Sequence, residues 1–180
     1  MKRFFTVKVI TTNALICALY VVLTLISGPL AFYGGSLQFR ISEVLNLLVF
    51  FNPIYTIGVV LGCLLSNIIS LYGWPDLVLG TFATLITCLA IIVVSKTIKS
   101  LLISSLMPVL FNALIVPIVI YLYDTSIPLI SFYWVSFMWV CLGEVIVCGF
   151  IGYPLILTLA KKYKGFYDII SATNRYDLKW

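Results

Sequence analysis

Histidine is absent from all 180 residues, and charge is scarce, at 9% of the chain. The first absence removes the commonest general base and metal ligand, which excludes Ser-His-Asp catalysis and histidine-based zinc sites. The second removes the polar coat of a soluble domain, which carries about 25% charged residues. Cysteine occurs five times, at Cys17, Cys63, Cys88, Cys141 and Cys148, never as C-x-x-C and always inside an apolar run. These are read as small packing residues rather than metal ligands or disulfide partners. No G-x-x-x-x-G-K-[ST] phosphate loop occurs, so the chain is not expected to hydrolyse ATP. Nor is there a G-x-S-x-G elbow, an internal repeat or a low-complexity tract. No catalytic residue, metal site or cofactor is assigned.

What is there is hydrophobic: 63% of the residues, with a mean hydropathy of +1.18. The chain reads as an all-α integral membrane protein. One spanning helix needs ~20 apolar residues, so this length holds about five to seven spans and no separate soluble domain. Six apolar segments stand out: Ile10–Leu30, Ile41–Phe51, Ile54–Ser70, Leu77–Ser95, Leu101–Tyr123 and Phe132–Ala160. Breaks fall at Gly28-Pro29, Gly34-Gly35, Asn52-Pro53, Gly73-Trp74-Pro75, the Lys96–Lys99 turn and Asp124–Pro128, where Gly, Pro, Asn and charge punctuate. The second segment is too short to cross a ~30 Å core unless it takes in Gln38 to Pro53. The first exceeds the ~7–15-residue core of a signal peptide and is read as a retained helix.

Ten of the eleven basic residues fall in three places: Lys2, Arg3 and Lys8; Lys96 and Lys99; and Lys161, Lys162, Lys164, Arg175 and Lys179. Lys and Arg favour the cytoplasmic flanks of spans. Six transmembrane helices put all three groups on one face, so both termini are expected in the cytoplasm. Residues 1–180 are then a single six-helix membrane domain with a cytoplasmic tail at 161–180. The net charge of +5 is a topology signal, and no nucleic-acid partner is implied.

Ionisable groups inside a bilayer are costly and mark functional cavities, so their depth is informative. At 1.5 Å per residue, Glu144 lies about 24 Å above Ala160, Asn112 about 18 Å above Ser100 and Asn67 about 21 Å above Pro53. The second helix descends from outside, with Arg40 at the boundary, Glu43 at i+3 and Asn46 a further turn down, all on one side. Asp76 is read as an N-cap at the outer start of the fourth helix. Polar residues from five segments thus converge in the outer half, as an outward-open pocket for a polar, neutral or weakly charged ligand requires. A plainer reading stays open beside it, in which Arg40 and Glu43 form an i,i+3 ion pair and the asparagines link helices.

Phe32, Tyr33, Trp74, Tyr133, Trp134 and Trp139 crowd the outer ends. They form an interfacial belt or, for Trp74 and Trp139 above all, a platform for a flat ring. On the first helix Ala14 and Ala18 are four apart beside Asn13, a small-x-x-x-small face suited to docking a partner helix. The paired repeats and broken helices of a secondary transporter are missing. The residues alone therefore describe a small membrane protein that captures a polar ligand from outside and relies on another protein for energy.

Several strings resemble the QueT family, the substrate-binding (S) components of energy-coupling factor (ECF) transporters for queuosine precursors. They are Arg40-Ile41-Ser42-Glu43 with Leu45, Gly62-Cys63-Leu64-Leu65-Ser66-Asn67, and Asp76 followed by Gly80-Thr81-Phe82-Ala83-Thr84-Leu85. Phe111-Asn112-Ala113 and Gly143-Glu144 complete a resemblance over nearly the whole chain. Ser66 departs from the pattern, in which alanine is more usual beside the asparagine.

The resemblance implies an ECF S-component-like bundle in a bacterial plasma membrane, not an enzyme, partnered by a transmembrane coupling subunit and two ATPase subunits. Its implied ligands are 7-deazaguanines: the aminomethyl precursor preQ1, queuine or queuosine. It implies capture outside, docking through the Ala14/Ala18 face, and toppling in the bilayer driven by the partners' ATP hydrolysis. A guanine-like edge presents adjacent N–H donors and a carbonyl. Glu144 or Glu43 suits the donors, Asn67 or Asn112 the carbonyl, and Asp76 the cationic aminomethyl group. The expected site is Arg40, Glu43, Asn67, Asp76, Asn112, Glu144, Trp74 and Trp139. Three alternatives stand beside it: an S component for another vitamin or nucleobase-like micronutrient, a small membrane enzyme using Glu43 and Glu144 as acid and base, and a structural membrane-assembly protein.

Overall fold

The structure, a computed structural model, describes residues 7–32, 39–123 and 129–162. Among these every element is helical: α1 (Val7–Phe32), α2 (Ile41–Phe51), α3 (Pro53–Ile68), α4 (Asp76–Thr97), α5 (Leu101–Tyr123) and α6. α6 starts as Leu129–Glu144, widens into a π-helical stretch over Val145–Gly152 and ends as Tyr153–Lys162. The breaks expected at Gly34-Gly35 and Asp124–Pro128, Tyr33, the basic residues Lys2 and Arg3, and the tail beyond Lys162 lie outside the described residues. So does the side chain of Phe32.

Local chemistry sets most boundaries. Asn52 is extended, and its side chain accepts the Ile54 amide at 3.1 Å, while Pro53 fills the first helical position that needs no N–H. Asn52 alone thus separates α2 from α3, as the cap of a helix that opens on Pro53. α3 stops at Ile68, short of the expected Ser70, because the Ile69 and Ser70 amides turn back onto the Ser66 and Asn67 carbonyls at 3.3 and 3.2 Å. Gly73, at φ +63°, makes the turn into α4. At the other end of α4 the Ile98 and Lys99 amides both donate to the Val94 carbonyl at 2.9 Å, with Lys99 in the left-handed region at φ 57°.

Four of these helices, α1, α4, α5 and α6, are long and apolar enough to cross a bilayer; α2 and α3 are shorter. Beside its apolar cores the bundle buries polar and charged side chains and exposes large apolar ones. Leu61, Leu65, Val93, Leu102, Leu110 and Phe150 are exposed, whereas Ser42, Glu43, Asn46, Asn67 and Asp76 are buried. With no hydrophobic drive between helices in lipid, close packing and buried hydrogen bonds hold such a bundle together. The protein is a multi-pass helical membrane protein.

α1 and α3 pack closely, and glycine permits it. A Cβ at Gly58 would sit 2.6 Å from the Asn13 carbonyl oxygen, and one at Gly62 would sit 2.6 Å from Tyr20 Cβ. These two form a G-x-x-x-G spacing, the small-residue device for close helix approach. Asn13 seals the joint: its Oδ1 accepts the Gly58 amide at 2.8 Å and its Nδ2 donates to the Val9 carbonyl at 3.0 Å. The main apolar core forms around Tyr20, Leu47, Phe50, Phe51, Ile91 and Cys148, and a smaller one joins Tyr72, Val116, Val119, Ile120 and Val140.

Candidate ligand-binding site

The first seven residues of α2, Ile41–Leu47, wind as a 3-10 helix. At three residues per turn, side chains at i and i+3 eclipse, so Glu43 and Asn46 stack in line, with Arg40 leading into the same row from an extended residue at φ −97°, ψ 93°. From this row the side chains part. Arg40 Nη2 reaches Asp76 Oδ2 of α4 at 2.5 Å, and its Nη1 donates to Asn67 Oδ1 of α3 at 3.3 Å. The carboxylate that pairs with Arg40 is therefore Asp76 rather than Glu43.

Asp76 is not the N-cap expected of it. The helical turn already begins before it, no cap bond is made by its side chain, and residues 76–80 form a π-helical turn. Its Oδ2 accepts Ser70 Oγ–H at 2.6 Å as well as the Arg40 guanidinium, and its backbone carbonyl accepts Asn67 Nδ2 at 3.0 Å. Gly80 leaves the room: a Cβ there would run into the Asp76 carboxylate and come within 3.0 Å of Asn67 Nδ2. This first network, Arg40, Asn67, Ser70 and Asp76, ties the entry of α2 to α3 and α4.

A second network lies among α1, α2, α5 and α6. Tyr20 of α1 donates its hydroxyl to Glu43 Oε1 at 2.8 Å, and Asn46 Nδ2 donates to Glu43 Oε2. Thr24 Oγ1–H donates to Ser42 Oγ at 2.8 Å beside them. Across the bundle Asn112 Nδ2 donates to Glu144 Oε1 at 2.9 Å, and the Cys148 thiol, one turn on, reaches Glu144 Oε2 at 3.5 Å. The 3-10 turn that carries Glu43 packs against α5 and against the π-helical stretch that follows Glu144. α6 becomes π-helical immediately after Glu144, as α4 does at Asp76. Such wide turns recur at functional positions in helices.

The structure thus brings Glu43, Asn112 and Glu144 together and gathers Arg40, Asn67 and Asp76 into an adjoining group. Trp74 and Trp139 join neither. They are 69% and 46% exposed, a placement that fits an aromatic belt. Tyr20 and Ser70 are polar partners that the sequence reading passed over. Tyr20 is flagged only by being the polar end of the Asn13, Ile16, Tyr20 stripe on α1, and Ser70 by nothing local. Gly58, four before Gly62, was available as a spacing signal. All five cysteines are free thiols.

On the outside of the α1–α3 joint lies a separate groove of about 670 Å³. Ala14, Ala18, Val21, Leu61 and Leu65 line it, with Ala14 and Ala18 exposed. Asn13, grouped with the alanines in the expected docking face, also borders the groove. Its amide, however, is buried and already committed to Val9 and Gly58. Its part in that face is to hold α1 on α3.

Apolar helices long enough to cross a bilayer, with carboxylates and amides buried between them, define a polytopic membrane protein. The sequence matches the QueT transporter family over residues 10–161, and the chain belongs to that family. It is similar to the queuosine precursor transporter QueT of Lactococcus lactis subsp. cremoris (strain MG1363), with 43% identity over 86 residues, 48% of this chain and 50% of the relative. The chain spans about half the length of the curated relative it matches. No solved structure matches it. The family is one of transporters, not enzymes, which sets aside a role for Glu43 and Glu144 as catalytic acid and base.

Proposed function

We propose that the chain is the ligand-capturing S component of an ECF importer and takes up a 7-deazaguanine queuosine precursor. The observation that carries this reading is the buried cluster of Glu43, Asn46, Asn112 and Glu144 in a chain of a transporter family. Carboxylates suit the adjacent N–H donors of a guanine-like edge, and an amide suits its carbonyl. Glu43 and Glu144 take the donors and Asn112 the carbonyl. Arg40, Asn67 and Asp76 are engaged with one another and brace the outer end of the site, while Trp74 and Trp139 anchor that end at the membrane interface.

In this reading six segments cross a bacterial plasma membrane with both termini in the cytoplasm. Residues 1–180 act as one domain and 161–180 as its cytoplasmic tail. The α1–α3 groove receives a helix of the transmembrane coupling subunit. An apolar seam bordered by alanines supports that role, since small residues let helix backbones approach closely. Two ATPase subunits supply the energy.

The test is to purify the chain, identify co-purifying small molecules by mass spectrometry, and titrate it with preQ1, queuine and, as a control, riboflavin. Binding of a deazapurine at micromolar concentration or tighter, with no response to riboflavin, is expected. Failure of every deazapurine to bind overturns the proposal.

A further inference from the structure

A ligand that meets both Glu43 and Glu144 has to pass between the elements that hold them, because the two carboxylates are buried, at 1% and 4% exposure. They are held from different sides. Tyr20 of α1 and Asn46 of α2 bond Glu43, whereas Asn112 of α5 and Cys148 of α6 bond Glu144. The first bank is pinned: α1 lies on α3 through Gly58, Gly62 and Asn13, and the start of α2 is tied to α4 by Arg40 and Asp76.

The second bank is built to bend. Asn112 meets Glu144, and the Leu114 carbonyl accepts the Tyr133 hydroxyl at 3.0 Å, so α5 and α6 run antiparallel. Pro108 lies inside α5, one turn before Asn112. It has no N–H for the Ser104 carbonyl, and its ring crowds that oxygen. The π-helical stretch of α6 starts at Val145, directly after Glu144. In antiparallel helices both breaks therefore fall on the same side of the Asn112–Glu144 bond, and prolines and π-helical turns are where helices kink.

Beyond the breaks, residues 112–123 and 129–144 share that bond, the Tyr133 bond and the small core of Val116, Val119, Ile120 and Val140, so they form one unit. A second proline, Pro117, falls within the unit, and Tyr133 braces its turn from α6. The unit closes on the α3–α4 turn and the start of α4 through uncharged side chains. Tyr72 meets Tyr123 edge to face, with ring centres 5.4 Å apart, and Leu79 packs on the same small core. Contacts of this kind can part and re-form without stranding a buried charge.

We infer that this part of α5 and α6 is a gate, which swings on Pro108 and on the π-helical stretch to admit the ligand between Glu43 and Glu144, with Tyr72 and Tyr123 as its closing edge. The inference rests on the reading of the carboxylate cluster as the ligand site, and adds to it the part that moves and the two places where it bends.

The experiment locks the closing edge. Tyr72→Cys with Tyr123→Cys, in the full chain in lipid nanodiscs, is bridged by a short bis-methanethiosulfonate, a link that dithiothreitol reverses; each single variant, treated alike, is the control. Three rates are read: association of 7-aminomethyl-7-deazaguanine, its dissociation when bound before locking, and alkylation of the buried Cys148 thiol by iodoacetamide, resolved by peptide mass spectrometry. Locking is expected to slow all three by about tenfold or more, as for events that wait on a conformational change, and reduction to restore them. Slower dissociation separates a closed gate from a damaged site, which would release ligand faster. Pro108→Ala, which returns a donor to the Ser104 carbonyl, should slow the same rates without a link. Rates that the lock leaves unchanged overturn the gate, and rates that Pro108→Ala leaves unchanged overturn its hinge in α5. A chain that ignores the compound overturns the deazaguanine reading instead, and Cys148 alkylation then decides the gate without a ligand.

Discussion

Asp76 and Gly80 show at the scale of single residues how one buried carboxylate dictates its neighbours. A buried ion pair is weak evidence of stabilisation, but removing one partner strands the other charge, at about 3–5 kcal/mol. Arg40→Met should therefore lower the unfolding free energy by about that amount, and adding Asp76→Asn should restore part of it. Denaturant unfolding of the unmodified chain and these two variants in detergent checks this; a double variant no more stable than Arg40→Met would show that the pair is not coupled. Gly80→Ala places a methyl against the Asp76 carboxylate and Asn67 Nδ2. Overpacking of this kind costs about 1–3 kcal/mol, and a melting temperature equal to that of the unmodified chain would contradict the observed fit.

The element scale belongs to the α1–α3 joint, which connects the two faces of the molecule. Gly62 lies against Tyr20, whose hydroxyl holds Glu43. Gly62→Ala is expected to displace Tyr20, lower stability by about 1–3 kcal/mol and weaken ligand binding together, as thermal unfolding and titration would measure. On the opposite side of the same helix, Ala14→Leu with Ala18→Leu fills the groove without touching the buried cluster. That double variant should lose assembly with the coupling subunit, read by co-purification, and keep ligand affinity. Loss of both properties would contradict the division between an interior site and an outer docking groove.

Most of these elements were legible from composition and punctuation. α5 runs over the same residues as its apolar segment, and Asn52-Pro53 separates α2 from α3 as that dipeptide should. The row of Arg40, Glu43 and Asn46 was also legible from spacing, and the 3-10 winding tightens it. The pairings were not. Arg40–Asp76, Tyr20–Glu43 and Asn112–Glu144 join residues 36, 23 and 32 apart in sequence. Which carboxylate meets which cation is decided by helix packing, and a local rule such as i,i+3 pairing has no access to it. The same holds for Asp76, whose position at a helix start suggested a cap while Arg40 and Ser70 claimed its oxygens.

At the scale of the whole molecule, scarcity of charge is the organising feature. The described acids are buried among the apolar cores, while many large apolar side chains are exposed on the outside of the bundle. In the proposed orientation the basic residues flank the cytoplasmic ends of the spans. In a cysteine-free background, Lys99→Cys is expected to react with a membrane-impermeant maleimide only after the cells are permeabilised. Labelling in intact cells would reverse the proposed orientation.

The most direct measurement is the affinity of the purified chain for 7-aminomethyl-7-deazaguanine, compared with that of the Glu43→Gln, Glu144→Gln double variant at matched melting temperature. The unmodified chain is expected to bind at micromolar concentration or tighter and the folded double variant not to bind at all. An unmodified chain that ignores the compound, or a double variant that binds it equally well, would contradict capture by the buried carboxylates.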